Sequence, residues 1–164
     1  NYPKPLLIIG NARTGSNLWR SILNNHPELF IAGELQLWMP YRKDFSSWFY
    51  GLGDLKKTRN FDRLFARLYS DIESDFPSHS FWFRYWKRMP DWVPEKNLRR
   101  EFKNTDRSLK EFVRVLLEQS AYQAGKKRWG AKNLAHFSNL PKLRLWFPVS
   151  QVVHLVRDGS AVYA

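Results

Sequence analysis

Short apolar runs and longer amphipathic stretches alternate along this chain. Leu6-Leu7-Ile8-Ile9 is continuously apolar, with Pro5 before it and Gly10 after it. That pattern predicts a strand buried on both faces, as in a parallel sheet. Asn11 to Ser16 forms a polar turn carrying Gly15, next to Gly10. The spacing behind it predicts a helix with Leu18, Trp19, Ile22 and Leu23 on one face, ended at His26-Pro27. Arg20, one turn into that helix, reads as a surface residue.

The middle of the chain is less regular. Leu35 to Leu52 is aromatic and ambiguous in period. Phe61, Leu64, Phe65, Leu68, Tyr69 and Ile72 recur at three and four residues, the stripe of an amphipathic helix. Ser108-Leu109-Lys110-Glu111 reads as a capping box. The stripe behind it, Leu109, Phe112, Val113, Leu116, Leu117, Ala121 and Ala124, stops at Gly125. Arg128 to Lys132 is expected as a short strand, and Leu140 to Phe147 as a helix ended by Pro148. Gln151 to Val156 is a second β-branched run. Arg157-Asp158-Gly159 then turns, and a new helix begins.

This order predicts an α/β fold: three layers around a parallel sheet, opening on a strand-loop-helix unit. The expectation is one domain over 1–164, with a helical, aromatic-rich insertion at about 35–127. The last helix runs into Ala164, so the domain is expected to be incomplete at its C-terminus.

Composition narrows the chemistry. With 164 residues and 43% hydrophobic side chains the chain has enough apolar material for a core without staples. Cysteine is absent, which excludes disulfide frameworks, thiolate zinc sites and cysteine nucleophiles together. No window approaches a membrane-spanning length, and LLII is far shorter than a signal-peptide core. The expected setting is a soluble domain in the cytoplasm. The formal net charge is +12, and the excess lies after residue 55. Such a balance suits an anionic partner.

The Gly10-to-Ser16 turn is the first candidate for that partner. Backbone N–H groups at a helix start are unpaired, and the helix dipole adds positive charge. A phosphate or sulfate lodges readily there. Gly15 would let the backbone curl around the anion, Ser16 would donate a hydroxyl, and Arg13 would add a forked contact. The Gly10-x4-Gly15 spacing resembles an ATP-binding P-loop, but Ser16-Asn17 stands where that motif needs Lys and then Ser or Thr. This tells against an ATPase or kinase. Arg157 ends the second β-branched run, at the strand edge where open α/β sheets bind ligands. Two such turns suit a ligand with two separated anionic groups. Asp158 reads as a salt bridge or helix cap.

Two blocks resemble the PAPS-dependent sulfotransferase superfamily. PLLIIGNARTGSNLWRSILNNHPELFIAGE is similar to its opening strand, PRSGTT-like loop, helix ending in HP, and GE. RWGAKNLAHFSNLPKLRLWFPVSQVVHLVRDGSAVYA is similar to its later block, with a Lys-bearing strand, a leucine-rich helix, FP and an LVRDGRAV-like turn. The likeness is strongest to branches with a Glu base, such as tyrosylprotein, glycan and bacterial sulfotransferases. It implies transfer of a sulfuryl group from 3′-phosphoadenosine-5′-phosphosulfate (PAPS), leaving PAP, to a hydroxyl acceptor.

By the same resemblance, Arg13, Thr14, Gly15, Ser16, Asn17 and Leu18 would hold the 5′-phosphosulfate, and Arg157 the 3′-phosphate. Glu34 would be the general base and Lys132 would neutralise the leaving oxygen. No metal is expected, because Arg, Lys and backbone dipoles carry the charge. Asn17 replaces a second Thr of the family loop. His26 is expected to cap a helix, and His136 to be structural or near the ligand.

Phe81 to Arg88 mixes aromatic and basic residues, which suits a core with a basic edge, an acceptor wall or a membrane surface. The expected acceptor is a glycan, lipid or small molecule rather than nucleic acid. Two other readings remain: a P-loop-like nucleotide phosphotransferase, and a non-catalytic polyanion- or nucleic-acid-binding domain.

Overall fold

The computed structural model describes residues 4–33, 45–70, 89–132 and 136–158. They fall into two compact units, 1–34 with 120–164, and 35–119.

The first unit is built on four strands: β1 (Leu6–Gly10), β2 (Leu29–Ala32), β3 (Arg128–Lys132) and β4 (Gln151–Leu155). All pairings are parallel, in the order β2-β3-β1-β4. This is the parallel α/β sheet expected. β2 holds the short apolar run Phe30 to Ala32 and is an edge strand of the sheet. The adjacent strands β1 and β3 send their connections to opposite edges of the sheet, through α1 (Ser16–Asn24) and α7 (His136–Trp146). In open α/β sheets such a reversal opens a crevice beyond the carboxyl ends of the strands.

β1 is buried along its whole length, as its unbroken apolar run requires. On one face Leu6, Ile8, Leu29 and Ile31 form a cluster against which Leu23, Val153 and Leu155 pack. Elsewhere in the unit Trp129 meets Phe147 edge-on, with ring centres 5.2 Å apart. Burying each such side chain contributes roughly 1.5–3 kcal/mol.

α1 departs from its expected orientation. Leu18, Trp19 and Ile22 are 65%, 46% and 50% exposed. The inward face is instead Ser16, Arg20, Leu23 and Asn24, which are buried or half-buried. Polar bonds explain the choice. Arg20 Nε donates to the Ile31 carbonyl at 3.3 Å, and Asn24 Nδ2 donates to the same oxygen at 3.0 Å. Asn24 Oδ1 accepts from Ile31 N at 2.9 Å. These bonds satisfy the outer backbone of an edge strand, so Arg20 is a clamp on β2 rather than a free surface residue.

The second unit holds α2 (Phe45–Gly51), α3 (Thr58–Tyr69), the short α4 (Met89–Trp92), α5 (Glu95–Lys103) and most of α6 (Leu109–Gln123). Its core is aromatic. Phe102 meets Phe112 edge-on at 5.4 Å and stacks with Phe61 at 6.0 Å, while Phe49 lies 5.5 Å from Phe112. The expected α3 stripe is buried at Phe61, Leu64, Phe65 and Leu68, while Ile72 lies outside the described residues. The capping box at α6 forms only in part. Ser108 Oγ accepts from Glu111 N at 3.3 Å, but the Glu111 carboxylate turns to Arg114 at 2.7 Å. Asp106 takes the reciprocal place, its carboxylate accepting from Ser108 N at 2.8 Å.

Candidate functional site

The turn after β1 is set by its two neighbouring strands. Ile8 pairs with Lys132, and Gly10 pairs with Leu155, two residues before Arg157. The parallel register therefore delivers Lys132 and Arg157 to the same sheet edge, on opposite sides of the turn. Gly10 permits the close approach: a Cβ there would lie 2.8 Å from the Leu155 carbonyl and 3.1 Å from Thr14 Oγ1.

Two residues of the turn take left-handed backbone, Arg13 at φ 66° and Gly15 at φ 80°. Gly15 adopts it at little steric cost and caps α1 with no side-chain bond. The first N–H groups of α1 are left without an intrahelical acceptor, and its first turn carries no acidic residue. Thr14 Oγ1 donates to the Asn11 carbonyl at 2.8 Å, which ties the turn to itself. Across it, Arg157 Nη1 donates to the Arg13 carbonyl at 3.1 Å.

A cleft of about 380 Å³ opens over this turn, lined by Ala12, Arg13, Gly15, Ser16, Asn17, Lys132 and Arg157. Lys132 is 3% and Ser16 8% exposed, whereas Arg13 and Arg157 are exposed. Among the described residues the lining offers three cations, a hydroxyl, an amide and helix-start N–H groups, with no carboxylate. Such a donor set fits an oxyanion, and the volume falls within the range of small-molecule sites.

Six of the nine residues expected from sequence thus meet in one cleft: Arg13, Gly15, Ser16, Asn17, Lys132 and Arg157. Thr14 spends its hydroxyl on the turn, and Leu18 projects outward at 65% exposure; neither is part of the lining. Glu34 lies outside the described residues, as do Phe81 to Arg88 and the His136 side chain. The chain does leave β2 at the cleft's edge of the sheet, because Ala32 pairs with Ala131 beside Lys132. His26 meets its capping role: its N–H bonds the Leu23 carbonyl at 3.1 Å, and its Nδ1 accepts from Glu28 N at 3.1 Å. Sequence reasoning missed the left-handed Arg13 and the Arg20–Asn24 clamp. The only local sign of the clamp was its i, i+4 spacing on α1.

Among the described residues no group of three or more His, Asp or Glu could hold a metal ion, and no helix is long and apolar enough to cross a membrane.

A parallel α/β sheet with a cation-lined cleft at a strand-to-helix turn defines the class of protein. Over residues 5–164 the chain matches the sulfotransferase family, and it belongs to that family. No curated protein matches it. Family membership makes the transfer of sulfuryl groups its general activity.

Proposed function

We propose that this protein transfers a sulfuryl group from PAPS to a hydroxyl acceptor, with the cleft at the β1–α1 turn as the donor site. The observation that carries this reading is the convergence of Arg13, Lys132 and Arg157 on one cleft that, among the described residues, no carboxylate lines. When bound there, PAPS would supply an activated sulfuryl group and an anionic leaving group.

The chain's own residues supply the rest. The N–H groups at the start of α1, with the Ser16 hydroxyl, hold one anionic group against the helix dipole. Arg13 adds charge at the same place. Arg157, on the far side of the turn, meets a second anionic group. Lys132 is buried and therefore acts in a poorly screened setting, where a cation stabilises developing negative charge most strongly. Glu34 is the proposed base that takes the proton of the acceptor hydroxyl. The missing P-loop lysine at Ser16 weighs against phosphoryl transfer from ATP.

Calorimetric titration with PAP, with ATP and Mg²⁺ as competitor, tests the donor class. PAP binding that is lost in Arg13→Ala supports the reading. Tighter binding of ATP with Mg²⁺ would replace it with a nucleotide phosphotransferase. Binding that depends steeply on salt, without preference for adenine, would replace it with polyanion binding.

A further inference from the structure

The helical unit contains a second charged cavity, separate from the donor cleft. It has a volume of about 160 Å³ and is lined by Thr58, Phe61, Asp62, Arg99, Lys103 and Arg107. We infer that this cavity binds a single tetrahedral oxyanion, a sulfate or phosphate group carried as an ester on a larger molecule.

The charge balance of the lining comes first. Asp62 is already engaged by Arg99 Nη1 at 2.6 Å, and Arg99 also meets Glu95 at 3.1 Å. That trio keeps one net negative charge, which Lys103 and Arg107 together outweigh, so the cavity and its ion-paired neighbour Glu95 carry a net +1. Lys103 is exposed and has no partner among the described residues. Arg107 bonds only neutral backbone acceptors through Nη1, the carbonyls of Leu55 at 2.7 Å and Lys56 at 3.3 Å. Those bonds aim the guanidinium without cancelling its charge.

Arg107 is also held at some cost. It is one of two non-glycine residues described with left-handed backbone, at φ 60°; the other, Arg13, lines the donor cleft. Thr105 Oγ1 accepts from Arg107 N at 3.1 Å, which stabilises the turn. The guanidinium lies 4.6 Å from the centre of the Phe61 ring, so its position is fixed by packing as well. A left-handed arginine costs about 1–2 kcal/mol and persists where the surroundings over-determine it, a feature that clusters at functional sites.

Size selects the ligand. A cavity of about 160 Å³ has room for one tetrahedral group. A whole nucleotide needs the several hundred Å³ of an ordinary ligand site. Lys103 and Arg107 would meet the anion as charged donors, and the Thr58 hydroxyl would add a neutral one.

The test is a titration of the full chain, isotopically labelled, with inorganic sulfate, with glucosamine 6-sulfate and with glucose 6-phosphate, followed by amide NMR at Thr58, Lys103 and Arg107. Saturable shifts at these three residues are expected, weakened about tenfold or more in Lys103→Ala and unchanged in Arg13→Ala. Lys103 is exposed, so its removal leaves the fold intact. The tighter of the two esters identifies the class of molecule that carries the group. No shift at the three residues, or equal shifts in wild type and Lys103→Ala, would overturn the site. Loss of the response in Arg13→Ala would also overturn it, by assigning the anion to the donor cleft.

Discussion

Arg157 donates a hydrogen bond from Nη1 to the backbone carbonyl of Arg13 at 3.1 Å, across 144 residues of sequence. Arg13 holds a left-handed backbone at φ 66°, which costs about 1–2 kcal/mol for a residue with a Cβ. The bond gives that strained peptide an acceptor's satisfaction and joins the two basic turns of the cleft. Arg157 therefore has two roles in the proposed site: a cation for a ligand, and a brace for the turn that holds the rest of it.

Removing the brace has a distinctive signature. Arg157→Ala is expected to weaken PAP binding by roughly tenfold or more, through loss of a charge-assisted contact. Arg157→Lys keeps the charge but not the fork, so it should recover only part of the affinity. Calorimetry on the three proteins checks this. Full recovery by lysine would mean that Arg157 contributes charge alone.

Lys132 is expected to separate binding from chemistry. Lys132→Met preserves length and apolar contact at a site only 3% exposed, so the fold should survive. If the ammonium acts on developing charge, kcat should fall by about 10²–10³ while PAP affinity changes far less. Single-turnover transfer from PAPS, beside a PAP titration, reads both. Equal losses in the two would make Lys132 a ground-state binding residue.

Gly130 tests the sheet. A Cβ there would lie 2.5 Å from Ile31 Cδ1 and 2.6 Å from the Leu6 carbonyl. The second contact is backbone and cannot swing away. Gly130→Ala is expected to destabilise the protein by about 1–3 kcal/mol, the range for overpacking. Urea unfolding measures it as a lower midpoint at unchanged slope.

Glu118 gives a pH dependence with a definite sign. Burial raises its carboxyl above the usual carboxylate range, against the opposing pull of Arg114, whose guanidinium lies 2.5 Å away. A raised folded-state value means that the unfolded chain loses its proton first as pH rises. Stability from this group therefore falls between the ordinary carboxylate value and the folded one. Glu118→Gln lacks that fall, so its stability relative to wild type should increase as pH rises through the window. Denaturation midpoints on both sides of it check the sign, and an opposite trend would show that Arg114 dominates.

The elements that were legible in sequence carry their period locally. The unbroken run Leu6 to Ile9 could only be a fully buried strand, and the stripe from Phe61 to Leu68 only an amphipathic helix. The α1 face was misjudged because an apolar period predicts burial only when nothing better competes. Here Arg20 and Asn24 reach the open backbone of Ile31, and three apolar side chains turn outward instead. The unmade half of the capping box has the same cause: Arg114 offers Glu111 a charged partner in place of a backbone N–H.

By itself the sequence determined the strand-turn-helix at residues 6–24, the strand at 128–132, a β-branched run at 151–156 that the structure ends at Leu155, and the residue types of an oxyanion site. These follow from short-range spacing and from the chemistry of Gly, Ser and Arg at a helix start. The tertiary structure alone decided the strand order β2-β3-β1-β4, and with it which basic residues share the cleft. Lys132 and Arg157 lie far from Arg13 along the chain. They meet it because β3 and β4 pair with opposite sides of β1 in parallel register, and strand pairing between distant segments leaves no period in either one.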